Sequence, residues 1–140
     1  MYEIVDDMHL AVGLWMEEMG CGRYRDGAKC IALRRDVGTG FEWLAATSYD
    51  NFNGSSIEAS IAINGPINRK WLYYIFAYPF IQLKAKVILG RISSANLKSL
   101  HLVERMGFTS IARIPEADPA GLLCLYAMHR DDCRYLKGRP

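Results

Sequence analysis

Neither sign of charge dominates this sequence. Its 17 basic residues stand against 15 acidic ones, a net charge of +2 with neutral histidine. Binders of nucleic acid normally show a basic stripe, so that class is disfavoured. The basic residues gather only in short clusters, Arg34 with Arg35, Arg69 with Lys70, and Arg134, Lys137 and Arg139 near the end, and each reads as solvated surface. Metal-binding spacing is missing too. The four cysteines, Cys21, Cys30, Cys124 and Cys133, form no Cys-x-x-Cys pair and the three histidines are scattered, which gives a structural zinc site little to rest on. No apolar run is long enough to cross a bilayer. The acidic first seven residues lack the pattern of a secretion signal, so a reducing cytoplasm is the expected compartment. Internal repeats and low-complexity segments are absent. What is present is apolar: 51% of the chain, with three tryptophans, eight tyrosines and five phenylalanines. That supplies a real core and argues against disorder. A chain of 140 residues fits one compact domain.

Hydrophobic spacing divides the chain into elements. Residues 4–19 predict a helix, because Ile4, Met8, Ala11, Val12, Trp15 and Met19 recur three and four residues apart. Gly20, Cys21 and Gly22 break that pattern. Residues 29–34 and 41–49 predict two strands joined at Val37, Gly38, Thr39 and Gly40, hence a hairpin. Residues 56–63 alternate, with Ile57, Ala59, Ile61 and Ile63 on one face and Ser56, Glu58, Ser60 and Ala62 on the other. Residues 68–83 predict a buried helix disturbed at Pro79. A strand over 85–92 follows, then a helix over 96–106 stopped by Gly107. Strands over 108–114 and 122–129 close the pattern, separated by a loop over 115–121. Cys30 and Cys124 fall in strand-like runs, where a thiol acts as a small buried hydrophobe. Strands 56–63 and 85–92 flank a helix and can lie parallel side by side. The fold class is therefore α/β with α+β character: a mixed, mostly antiparallel central sheet with helices on both faces. Residues 1–27 form an N-terminal helical region, 28–130 the sheet core and 131–140 a tail.

One segment carries a motif. Asn96 is followed by Ser99, Leu102, the trio Val103, Glu104 and Arg105, and then Gly107 with Phe108. This resembles the Gcn5-related N-acetyltransferase (GNAT) superfamily, whose pattern after its fifth strand is Asn, a small residue three later, Leu at six, Tyr-Glu-Lys at seven to nine and Gly-Phe at eleven and twelve. Every position matches in type except the tyrosine, here Val103. The run from Phe76 to Leu83 followed by Val87, and the closing Leu125, Tyr126, Ala127, Met128, His129 and Arg130, are similar to the branch that acetylates ribosomal-protein N-termini. The resemblance spans roughly residues 28–130 and implies the acyl-CoA N-acyltransferase fold over one domain, residues 1–140. One departure stands out. The superfamily's loop Arg/Gln-x-x-Gly-x-Gly/Ala, which holds the pyrophosphate of coenzyme A at a helix N-terminus, corresponds here to Asn64, Gly65, Pro66, Ile67, Asn68, Arg69, Lys70 and Trp71, with a single glycine and a different spacing.

The resemblance implies transfer of an acetyl group from acetyl-coenzyme A to an amine-bearing acceptor: a protein N-terminus, a lysine or a small amine. It implies cofactor contacts from Asn96, also a preferred helix N-cap, and from Ser99. It further implies that the pantetheine arm pairs with the backbone at Ile61, Ala62 and Ile63, between two splayed strands. Asn68 opens the next helix, where Arg69 and Lys70 offer charge to phosphates. The reaction needs a base for the amine and a donor for the departing thiolate. Glu58 is the base candidate, with Glu42 an alternative; each also reads as a solvated strand charge. With Val103 in the tyrosine's place, the donor falls to His101, Ser94 or Tyr126. Trp15, Met16, Met19 and Tyr24 are candidates for an acceptor pocket, or plain core. A different reading is a module without catalysis that binds protein through Trp71, Tyr73, Tyr74 and Phe76. No membrane partner is expected, and a homodimer stays open.

Overall fold

The structure is a computed structural model that describes residues 1–137. Seven strands form one sheet in the order β1-β2-β3-β4-β5-β7-β6. They are β1 Tyr2–Val5, β2 Lys29–Asp36, β3 Phe41–Asp50, β4 Ser56–Ile63, β5 Val87–Ser93, β6 Thr109–Asp118 and β7 Gly121–His129. All neighbours are antiparallel except β4 and β5. The helices are α1 His9–Glu18, α2 Arg69–Ala77 and α3 Leu97–Met106.

The first element corrects the sequence reading. Residues 2–5 are a strand, and α1 begins only at His9. Ile4 and Met8 mimic helical spacing, but Ile4 and Val5 are β-branched and suit a pleated edge. Pairing with β2 puts Glu3 opposite Arg34, and their side chains meet at 2.6 Å. The helix start offers no side-chain cap that would extend it backwards.

Each face of the sheet has its own core. On one, Val12 and Met16 of α1 pack on Cys30, Ala32, Ala46 and Ala62. Three of those four sheet residues are alanines, which lets the helix lie close to the strands. On the other, Trp71, Ile75 and Phe76 of α2 and Leu100, Val103 and Met106 of α3 cover Leu33, Ile57, Ile88 and Tyr126. Trp71 is fully buried and donates its indole N–H to Ile31 O at 3.3 Å. Cys30 and Cys124 are fully buried, as the strand reading expects.

The disturbance at Pro79 has a specific form. α2 gives way to a π-helical turn, Tyr78–Gln82, closed by Leu83 N–H on Tyr78 O at 3.0 Å. Proline has no N–H, so Ile75 O loses its helical donor; the buried Tyr49 hydroxyl donates to it instead. Nor does β6 end at Pro115. It runs to Asp118, with a register shift between them and Glu116 at φ 65°. As an edge strand it tolerates proline, whose missing N–H breaks no ladder bond.

The tail docks through its apolar side chains while Arg134 and Lys137 are exposed, as the sequence reading expects. Cys133 is buried, Tyr135 stacks on Phe76 with ring centres 4.7 Å apart, and an Arg134 guanidinium nitrogen donates to Arg105 O at 2.6 Å. Arg139 lies outside the described residues. Among the described residues, no helix is long and apolar enough to cross a membrane.

Candidate functional site

The parallel pair β4 and β5 starts together and then parts. Ser56, Ile57 and Glu58 pair with Val87, Ile88 and Leu89, and the register stops there. Past that point each strand stays tied to its outer neighbour: β5 to β7 through Ser93, and β4 to β3 from Glu58 through Ile63. The result is a V that opens from Glu58 towards the carboxyl ends of both strands.

One edge of β4 inside the V therefore carries unpaired backbone groups. Asn64 N–H bonds to Leu44 O at 2.7 Å, and an antiparallel ladder alternates residue by residue. Ala62 and Ser60 then face β3, while Ile61 and Ile63 turn their N–H and C=O into the gap. Ser55 O confirms the phase, accepting from Lys86 N–H on the β5 side at 2.7 Å. A weak bond sits on this edge, the Cys21 thiol donating to Ile61 O at 3.8 Å. Of the three backbone positions expected to meet a ligand, Ala62 is thus corrected: its polar groups belong to the β3 ladder and its side chain is buried under α1.

The V encloses a cleft of about 540 Å³. Its walls are Ala59, Ser60 and Ile61 on β4 and residues 90–93 on β5. α3 closes one end with Asn96, Ser99 and Val103. Asn96 caps α3 by accepting from Ser99 N–H at 3.2 Å, so capping and cleft lining fall on one residue. Val103, at the tyrosine position of the motif, presents an apolar wall. Asp118 at the β6–β7 turn accepts from the Ser93 hydroxyl at 2.8 Å and joins the lining. Met19, Gly20, Cys21 and Gly22 form a strap across the gap; Gly20 at φ 92° and Gly22 at φ 81° supply left-handed turns that other residues adopt at a cost.

A smaller cavity of about 220 Å³ continues on the α1 side and shares Cys21, Ser60 and Arg91 with the cleft. Glu58 lines it at the point of the V, held by Asn51 Nδ2 donating to Glu58 Oε2 at 2.8 Å. Met16 and Tyr24 line it as well, while Met19 belongs to the cleft and Trp15 packs into the α1 core.

The other candidates lie elsewhere. Tyr126 is fully buried on the α3 side and donates to Glu104 Oε2 at 2.6 Å. Burial first, then the bond and charge of Glu104, push its phenol up to about 12. A buried phenol committed to a carboxylate is not placed to protonate a thiolate in the cleft. His101 is exposed on α3, in a shallow groove with Glu104 and Arg105. Ser94 accepts from Leu122 N–H at 3.1 Å and clamps β5 to β7. Glu42 bonds Arg35 on the β2–β3 hairpin at 2.8 Å. Asn68 caps α2 by accepting from Trp71 N–H at 2.8 Å. Arg69 and Lys70 are exposed in its first turn, just past the carboxyl end of β4 and outside the cleft walls. The motif gave no hint of Arg91 or Cys21. Arg91 had a signal of its own, a charge inside the apolar run 85–92.

No protein-family model matches this sequence, and no curated protein does. Solved structures do match. A chimera of the Vibrio cholerae spermidine N-acetyltransferase SpeG with hSSAT superposes with a TM-score of 0.66 at 13% identity, covering 96% of this chain and 98% of the other. The Campylobacter jejuni N-acetyltransferase PseH in complex with acetyl coenzyme A gives 0.61 at 12% identity, covering 93% and 99%. A candidate acetyltransferase from Acinetobacter baylyi gives 0.66 at 15% identity, covering 94% of each chain. These likenesses do not single out the branch that acetylates ribosomal-protein N-termini. At such identities likeness speaks for architecture, and the fold of this chain is that of the Gcn5-related N-acetyltransferases.

Proposed function

We propose that this protein is an N-acetyltransferase working as one domain in the cytoplasm, passing the acetyl group of acetyl-coenzyme A to a primary amine by direct attack while both are bound. The observation that carries the proposal is the end of β4–β5 pairing at Glu58 and Leu89, which leaves the backbone donors and acceptors of Ile61, at a cleft of about 540 Å³, and of Ile63 further along the same strand edge without a β5 partner. An extended amide-bearing arm fits such an edge, as an added strand does. The bound ligand supplies an acyl group activated as a thioester. Ile61 and Ile63 would hold the arm, Asn96 and Ser99 would flank it, and the first turn of α2 with Arg69 and Lys70 would meet the phosphates.

Glu58 is placed for the acceptor side. It stands at the apex of the V, fixed by Asn51, and takes the proton that the ammonium loses before or during attack, directly or through water. The backbone N–H groups of Ile61 and Ile63 also serve an oxygen that gains negative charge. With Val103 lining the cleft, the departing sulfur takes its proton from solvent.

A second reading is a scaffold that no longer turns over. Val103 and the single glycine of residues 64–68 favour it. Its aromatic docking helix is narrower than the sequence suggested, because Trp71 and Phe76 are buried in the core. Calorimetric titration with acetyl-coenzyme A separates the two readings. The acetyltransferase binds it, and at a hundredfold excess over Kd gains about 2.7 kcal/mol of stability. An unchanged melting temperature at millimolar ligand sinks the enzyme and leaves the scaffold.

A further inference from the structure

The smaller cavity has a charge pattern of its own. Asp50 and Glu58 are directly opposed across the β3–β4 ladder, so their carboxylates share one face. Asp50 Oδ2 pairs with Arg25 Nε at 3.3 Å, and Asp50 Oδ1 is shielded from solvent with no partner among the described residues. Among the described residues, Glu58 is held by Asn51, a neutral amide. The Glu58 carboxylate is therefore the acceptor that this end of the cavity offers to an ammonium group, which has three donors to place, with the Asp50 carboxylate behind it on the same face.

Two further cations line the same space. Arg23 enters from the strap side, and Arg91 stands on β5 where cavity and cleft meet. Neither has an ion-pair partner among the described residues. With Arg25 taken by Asp50, the cavity holds two uncompensated guanidinium groups against the single carboxylate of Glu58. A purely cationic acceptor, such as a polyamine, meets net repulsion here. A molecule with an amine at one end and an anion at the other satisfies both.

Building on the acetyltransferase reading, we infer that the acceptor is a small zwitterion, a primary amine carrying a carboxylate, with the amine at Glu58 and the carboxylate at Arg23 and Arg91. Guanidinium groups suit carboxylates through paired N–H donors. The volume of about 220 Å³ suits an amino-acid-sized molecule.

The test is calorimetry on protein saturated with coenzyme A, using L-leucine and L-glutamate, their carboxamides, and spermidine. Free acids are expected to bind at least tenfold more tightly than the carboxamides, and spermidine most weakly. Arg23→Gln with Arg91→Gln should erase the difference between acid and amide, while Arg23→Lys with Arg91→Lys, which keeps the charge, should retain most of it. Both arginines are exposed, so these variants should fold, which their melting curves check. Equal binding of acids and amides, a preference for spermidine, or no binding of any free acid overturns the inference alone. Failure of coenzyme A itself to bind removes the acetyltransferase reading first, and the acceptor with it.

Discussion

Glu58 and Tyr126 were both candidates for proton transfer, and their surroundings divide them. Glu58 faces a cavity with one amide partner. Glu58→Gln should therefore lower kcat/KM by about 10² to 10⁴ while leaving the calorimetric affinity for acetyl-coenzyme A unchanged. A matching loss of affinity would mean that the carboxylate acts on binding instead. Tyr126 is a core residue. Tyr126→Phe should cost about 1 kcal/mol of stability for the lost bond to Glu104 and leave turnover alone. Because its phenol is raised to about 12 in the fold against about 10 in an unfolded chain, the neutral form stabilises the native state below pH ~10. That contribution is lost as pH rises towards 12, and burial gives Tyr49 the same direction. Denaturant titrations from pH 9 to 12 should show the fall, shallower in Tyr126→Phe; an identical slope would contradict it. Sequence could place Glu58 on a polar strand face, because alternation is a local property. It could not separate a buried tyrosine from a cleft one, since that depends on which face α3 covers.

Gly13 shows how one helix is seated. A β-carbon there would meet the Tyr24 ring at 2.0 Å, so α1 and the segment after it pack only because residue 13 has no side chain. Gly13→Ala should destabilise by about 1 to 3 kcal/mol through overpacking, despite alanine's better helix propensity. A melting temperature that rises would contradict this contact. Elements with strong local signals were legible: the alternation of 56–63, the cap at Asn96 and the glycine after Met106 all read true. β1 was not, because Ile4 and Met8 satisfy helical spacing while the deciding partner, Arg34, lies far along the chain. The loop expected over 115–121 failed in a similar way. Proline argues against a strand in general, and only the edge position of β6, a fact of topology, removes the objection.

At the scale of the molecule, the site is made by what two strands do not do. Every strand is tied to its neighbours, yet β4 and β5 separate after three pairs. Adjacency and direction of β4 and β5 followed from the helix between them. The parting did not, because no residue in either strand encodes it alone; it follows from outer partners that pull each strand its own way. The direct measurement is backbone amide hydrogen exchange, residue by residue, with and without acetyl-coenzyme A. In the free protein, Ile61 and Ile63 should exchange faster than Ser60 and Ala62, and adding the ligand should slow them strongly while Ser60 and Ala62 barely change. Ile61 and Ile63 amides already protected in the free protein, or unaltered by saturating ligand, would contradict the account.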